Sequence, residues 1–422
     1  MRVTVRPGFA GGTAAAIPSK SISHRALICA ALAEGTSRIT GLAFSQDITA
    51  TAHALAAFGA RIEPIPGGLA VTGVAGRPHR PNAPVNCGES GSTLRFLIPL
   101  AAACGGPVTF MGQGRLMQRP QTVYRDLFAA RGLPFVQEGD RLTLSGPLPG
   151  GAYTVDGSVS SQFISGLLLA LPLLAGDSTL DVTPPFESRS YVGLTLSAMA
   201  RAGVLVTDEI PYRINGGQKY KSYNFSVEGD WSNAAFPAVL GAVRGGVAIT
   251  GLAPDSRQGD RILLDILTYC GANFTWRDGA LCFEAPSRPL RAADADLADC
   301  PDLGPILMVL ALFCQGKTVL RNTRRLRLKE SDRVAAMEAE IRALGGRIDS
   351  DENTVTLYGG PLHGGCVDSH NDHRIAMSLA VAALAAGVEV TVTGAQAVAK
   401  SDPDFWRTLA GLCKEGTIVE TH

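Results

Sequence analysis

Apolar runs long enough for a buried helix recur six times along the chain, each opened by a hydrophilic residue and closed near a glycine. The openers Ser21, Ser92, Ser161, Ser232, Asp302 and Asp372 predict helix N-caps. The closers Gly35, Gly106, Gly176, Gly245, Gly316 and Gly387 predict helix ends. The interval is roughly 70 residues, which is the signature of one structural unit used repeatedly. A β-rich run follows each helix, as in Thr36–Thr40 and Val388–Val392. A second helix then closes near Gly59, Gly132, Gly203, Gly271 or Gly345 in the first five copies. Two strands around a turn complete the unit, for example Arg61–Thr72 about Pro66-Gly67-Gly68, Phe135–Leu144 about Glu138-Gly139-Asp140, and Asn273–Phe283 about Asp278-Gly279. The predicted unit is β-α-β-α-β-β. The sixth copy stops near Cys413 with Thr417–Glu420 as its remaining strand, so Arg2–Val5 is expected to complete its sheet.

The first helix of each copy is apolar almost all round, as in Ala26–Ala33, Leu167–Ala175 and Ile375–Ala386, whereas the second carries charge on one face. First helices are therefore expected inside and second helices outside. Six units divide most simply into three plus three, giving an α/β protein of two similar domains. Parallel inner helices would bring their amino ends out together. Those ends carry unpaired N–H groups and positive dipole ends, so two such ends facing each other would form an electropositive cleft for anions. A solenoid is the alternative, but solenoid units are usually shorter and do not concentrate polar chemistry at one end.

Composition narrows the class. With 422 residues, 46% hydrophobic and 18% charged, the chain has material for two or three packed cores and is not a disordered polymer. Lys plus Arg and Asp plus Glu both number 38, so no net field draws it to nucleic acid or a membrane. Nine cysteines without CxxC pairs or metal-like His spacing read as reduced thiols in a cytoplasm. The start MRVTVRPGF lacks the character of a signal or transit peptide. The longest apolar stretches, Phe163–Gly176 and Pro305–Gln315, fall short of the roughly 20 residues needed to cross a bilayer.

The distinctive residues crowd into the segments that open the first helices. KSISHR (Lys20 to Arg25) offers hydroxyls, a guanidinium fork and a mobile ammonium, a set suited to phosphate or carboxylate and equally readable as an N-cap with solvated basic neighbours. GSVSSQF supplies Ser160, Ser161 and Gln162 as small neutral donors. The tract Arg321 to Arg333 is the densest in charge, but it lacks aromatics and is interrupted by Glu330 and Asp332. An acid between Lys329 and Arg333 at a helix start fits a small-anion site with acid/base chemistry better than a polyanion surface. NDHRIAM places Asp372, His373 and Arg374 at a buried helix start without a third metal ligand at zinc-like spacing. CGESGSTLR (Cys87 to Arg95) matches neither a nucleotide P-loop nor the dinucleotide fingerprint, so no nucleotide cofactor is expected.

Taken together, KSISHR, GxSGSTLR, Arg119-Pro120, GSVSSQF, Pro301-Asp302, LKESDR and NDHR resemble the enolpyruvyl transferases, and among them the branch acting on shikimate 3-phosphate. The resemblance runs from Lys20 to Lys400. It implies two domains, each an inside-out α/β barrel of three βαβαββ repeats around buried parallel helices. Residues 19–228 would be inserted into a discontinuous domain of residues 1–18 and 229–422, with the active site in the cleft between them. It also implies transfer of the enolpyruvyl group of phosphoenolpyruvate to the 5-hydroxyl of shikimate 3-phosphate by addition and elimination through a tetrahedral intermediate, by a monomer with no cofactor or metal. By motif position, Lys20, Gly91, Arg119, Gln162, Arg333, Arg374 and Lys400 would hold phosphoenolpyruvate. Ser21, Arg25, Ser160, Ser161, Ser188 and Lys329 would hold shikimate 3-phosphate. Asp302 would take the hydroxyl proton, and Glu330 with Lys20 would protonate and deprotonate the carbon.

The charges fit that pair of substrates, which together bring roughly −5 to −6. Lys20, Arg25, Arg119, Lys329, Arg333, Arg374 and Lys400 oppose them, less Asp302 and Glu330, so an open ligand-free form that closes on anions is expected. Glu89, Phe96 and Arg325 depart from the family pattern, which more often has Asn, Pro and a neutral polar residue there. Two rivals are a sister enzyme acting on UDP-N-acetylglucosamine and a non-catalytic repeat protein that binds polyanions. The first would open with Lys-Asn-Ala and use a loop cysteine near Arg119, whereas no cysteine lies between Cys104 and Cys270.

Overall fold

The computed structural model describes residues 1–421. They form two compact units, one of Met1–Ile17 with Gly229 onward and one of Pro18–Glu228. Each has its own continuous hydrophobic core.

In the Pro18–Glu228 unit the inner helices are Lys20–Leu32, Gly91–Ala101 and Ser161–Ala170. In the other unit they are Trp231–Arg244, Gly304–Leu312 and His373–Ala386. The last is buried from His373 through Ala385. Its alanines favour helix and, being small, let neighbouring backbones approach. In this unit the three inner helices pack on one another. In the Pro18–Glu228 unit, helix Gly91–Ala101 packs on Ser161–Ala170, while Lys20–Leu32 lies against the outer helices Gln46–Ala57 and Arg189–Arg201.

Among the described residues six small sheets wrap these helices, five of four strands and one of three. The hairpins Arg61–Ile65/Gly68–Thr72, Phe135–Glu138/Arg141–Leu144 and Asn273–Arg277/Ala280–Glu284 fall on the turns read from sequence. Strand Arg2–Val5 lies between Val390–Thr393 and Ile418–Thr421, so it does complete the sixth sheet. Two strands close the units by pairing far from their sequence neighbours. Gly12–Ala15 precedes helix Lys20–Leu32 in the chain but pairs in parallel with Val247–Thr250, and Asn224–Ser226 pairs in parallel with Arg38–Thr40. The simple repeat order is thus broken at the points where the chain passes from one unit to the other.

Cap positions need correction. Asp372 does cap its helix, accepting from the Arg374 N–H. Elsewhere the caps are Ser19, Ser90, Ser160 and Asp230 rather than Ser21, Ser92, Ser161 and Ser232. In each of these segments a hydrophilic residue also stands one or two places earlier, and extended backbone there lets Ser90, Ser160 and Asp230 accept from the following N–H groups. Asp302 is no cap: it sits in the 3-10 turn Pro301–Leu303, which leaves its carboxylate available to side chains. Glu330 precedes its helix by three residues, since Arg333–Ala343 starts after the cap Asp332.

Candidate active site

In the unit completed by Gly229 onward, the starts of two inner helices and one outer helix converge on an ion cluster. Arg333 lies at the first turn of the outer helix and is 1% exposed. Its Nε donates to Asp372 Oδ2 at 2.8 Å, its Nη1 to Asp302 Oδ1 at 3.0 Å and its Nη2 to Glu330 Oε2 at 2.8 Å. Lys329 and Arg374 also reach Asp302, at 3.4 and 3.2 Å. Lys400 donates to the Asn371 carbonyl at 2.6 Å, beside the Asp372 cap. Asp302, Lys329, Glu330, Arg333 and Arg374 are therefore brought together directly, with Lys400 joined through the adjoining turn.

The cluster sets the ionisation of its members. Burial depresses Lys329, and Arg333 and Arg325 repel it further; the attraction of Asp302 and Glu330 only partly offsets this, leaving it at about 8. Burial disfavours the Arg333 charge, but Asp372, Glu330 and Asp302 outweigh it and hold the guanidinium firmly protonated. Nearby, burial and the Asp302 charge raise Asp260 to about 6. The Ser232 hydroxyl donates to Asp260.

The Pro18–Glu228 unit gathers the amino ends of its inner helices by hydrogen bonds instead. Gln162 accepts from Arg95 Nη1 at 2.9 Å and donates to Ser92 Oγ at 3.0 Å, tying helix Ser161–Ala170 to Gly91–Ala101. Ser160 caps the Gln162 N–H, and Ser161 is the buried first residue of that helix. Arg25 donates to Thr195 Oγ1 at 2.7 Å, the Tyr191 carbonyl at 2.9 Å, Ser165 Oγ at 3.5 Å and the Ser21 carbonyl at 2.7 Å. Ser21 thus enters through its backbone. Ser188 is buried in the left-handed region at φ 57° just before helix Arg189–Arg201. Gly91 abuts the Arg119 guanidinium: a Cβ there would lie 2.9 Å from Nη1, so a side chain would displace the arginine. Lys20 pairs with Asp47 at 3.0 Å.

Sequence reasoning missed Asp47, Asp372 as an ion partner, Arg95, Ser165 and Thr195. Asp47 and Asp372 correct the charge count, because each sets a further carboxylate against a candidate cation, and together they lower the positive balance by two. Arg95 lies in the motif already singled out, so its presence was a usable signal; Ser165 and Thr195 carry none at the level of sequence. Of the departing residues, Glu89 packs its carboxylate against the Gly114 turn, and Arg325 is buried in the 3-10 turn Arg324–Leu328. Among the described residues no group of three or more His, Cys, Asp and Glu could hold a metal ion. Nor is any helix among them long and apolar enough to cross a membrane.

Two units of repeated strands and inner helices, with clustered cations and acids at helix starts, define the architecture with which known proteins can be compared. The profile of EPSP synthase (3-phosphoshikimate 1-carboxyvinyltransferase) matches residues 10–409. The 3-phosphoshikimate 1-carboxyvinyltransferase of Clostridium kluyveri is 42% identical over 99% of both chains. Among solved structures, EPSP synthase from Acinetobacter baumannii superposes with a TM-score of 0.81 at 27% identity over the whole of both chains. The enolpyruvyl transferase NikO from Streptomyces tendae shares the fold, with a TM-score of 0.78 at 18% identity, covering 100% of this chain and 98% of its own. The chain belongs to the EPSP synthase family.

Proposed function

We propose that this protein is a transferase that moves the enolpyruvyl group of phosphoenolpyruvate to the 5-hydroxyl of shikimate 3-phosphate, releasing phosphate, in the shikimate pathway to aromatic amino acids. Family membership supports the reaction, and relatives carry its name. The observation that carries the chemistry is the convergence of Lys329, Arg333 and Arg374 on Asp302 beside Glu330.

Addition requires a base at the hydroxyl and an acid at the methylene carbon, with cations for the phosphates and carboxylates. We assign Asp302 as the base and Glu330, with Lys20, as the group that protonates and later deprotonates the carbon. Without ligand, Lys329, Arg333 and Arg374 pair with Asp302, and Arg333 also pairs with Glu330. Substrate anions that draw Lys329, Arg333 and Arg374 toward themselves would free the Asp302 carboxylate to accept the hydroxyl proton. Lys20, Gly91, Arg119, Gln162, Arg333, Arg374 and Lys400 would receive phosphoenolpyruvate. Ser21, Arg25, Ser160, Ser161, Ser188 and Lys329 would receive shikimate 3-phosphate. Arg25 fits this part because it is buried among neutral acceptors, a cation in want of an anion.

A polyanion-binding role is disfavoured by the basic tract itself. Arg321, Arg324 and Arg327 each face a carboxylate, Asp294, Glu352 and Asp332 respectively, so their charge is partly spent within the unit. We place the enzyme in the cytoplasm as a monomer, and the nine free cysteines accord with a reducing compartment. Phosphate release from phosphoenolpyruvate tests the reading. It should depend on shikimate 3-phosphate and not respond to UDP-N-acetylglucosamine; the reverse dependence would reassign the substrate.

A further inference from the structure

Phe96 has no part in the assignments above, yet it lies against the cation we assign to shikimate 3-phosphate. It occupies the middle of helix Gly91–Ala101 and is 1% exposed. The Arg25 guanidinium stands over its ring, with Cζ 5.0 Å from the centroid, and His24 meets the same ring edge-on at 6.5 Å. Arg25 itself is 2% exposed. Its hydrogen bonds go to two hydroxyls, Thr195 and Ser165, and two carbonyls, Ser21 and Tyr191. Among the described residues none of these contacts is a carboxylate. Burial lowers the arginine to about 10, which leaves it charged at neutral pH. A buried guanidinium normally has a counter-ion. Here the negative π face of Phe96 takes part of that place.

We propose that Phe96 is a positioning residue for shikimate 3-phosphate: its ring holds the Arg25 guanidinium flat and aimed until the substrate anion arrives. This rests on the reading that Arg25 binds that substrate. The same helix carries Gly91 and Ser92 at its start and Arg95 beside Phe96, so the ring also fixes Arg25 relative to the turn that grips Gln162. An aliphatic side chain would fill the volume but offer no such face. The guanidinium would then be held by its hydrogen bonds alone and sample more orientations.

The test separates shape from charge distribution. Phe96→Met removes the π face at comparable volume. Mono-, di- and trifluorinated phenylalanines incorporated at position 96 weaken the face stepwise with little change of shape. Equilibrium binding of shikimate 3-phosphate, KM for phosphoenolpyruvate and thermal melting are measured for each. The expected result is a Kd for shikimate 3-phosphate that rises about fivefold to twentyfold for Phe96→Met and in steps along the fluorinated series, while KM for phosphoenolpyruvate stays within about twofold. Should Phe96→Met fail to fold, the fluorinated series still decides. A flat series in a protein whose wild type binds the substrate overturns the role of Phe96 alone. A folded wild type that does not bind shikimate 3-phosphate overturns the substrate reading, and this inference with it.

Discussion

The two units solve the problem of buried positive charge in opposite ways. Arg333 in one unit is enclosed by three carboxylates, Asp372, Asp302 and Glu330. Arg25 in the other is equally buried but held by hydroxyls, carbonyls and an aromatic ring. The first arrangement shares one buried cation among three acids; the second gives a buried cation hydroxyl, carbonyl and aromatic neighbours. The difference sets a cation shared among acids in one unit against a cation held by neutral groups in the other. It also reaches neighbouring groups: burial, followed by the charges of Lys20 and Arg25, keeps His24 neutral well below its ordinary range.

The contrast is tested most strongly by removing each arginine in turn. Arg333→Met should destabilise the fold by about 3–5 kcal/mol, because three acids lose their shared cation. Arg25→Met should alter stability by no more than about 1 kcal/mol, since the lost hydrogen bonds are offset by removal of a buried charge, while weakening shikimate 3-phosphate binding at least tenfold. Urea unfolding of both variants would break the comparison if their losses proved equal. Next in size is catalysis: Asp302→Asn or Glu330→Gln should lower kcat by about 100-fold or more with substrate binding largely retained. Steady-state kinetics beside equilibrium binding measure this, and a near-normal kcat removes that residue from its role.

Acid stability gives a smaller signal. His24 is held neutral in the folded state and takes a proton near its ordinary value of 6.5 once unfolded. Its native value is depressed, so the stability this group contributes is present above about pH 6.5 and is lost as pH falls below it. Denaturation at pH 5 and pH 7.5 should show that loss, and His24→Gln should remove it; an unchanged acid limb would place the titration elsewhere. The smallest effect concerns Lys329, lowered to about 8. Binding of shikimate 3-phosphate to the free protein should weaken by up to about tenfold between pH 7 and pH 9 as the ammonium loses its proton, and Lys329→Arg should flatten that dependence.

Much was legible before any coordinates, for a local reason. Caps, apolar helices, turn glycines and hairpins are written in short windows, so the repeat, the α/β class and the helix starts bearing the site residues could be read directly. Apolar residues on all sides of His373–Ala386 dictate burial without knowledge of the neighbours. Errors of one or two residues in the caps arose where two hydrophilic residues compete and only backbone geometry selects between them, as with Ser90 over Ser92.

What the tertiary structure alone decided was pairing across long separations. Sequence fixes neither that Gly12–Ala15 joins Val247–Thr250 nor that Asp47, 27 residues from Lys20, takes its charge. Asp372 was visible as a cap, but its second role depends on an arginine 39 residues earlier. Thr195 meets Arg25 across 170 residues. Hydrophobic periodicity determines which faces turn inward, because each window must bury its own apolar surface. The identity of a buried charge's partner depends on distances of a few ångströms between distant windows, and only packing sets those.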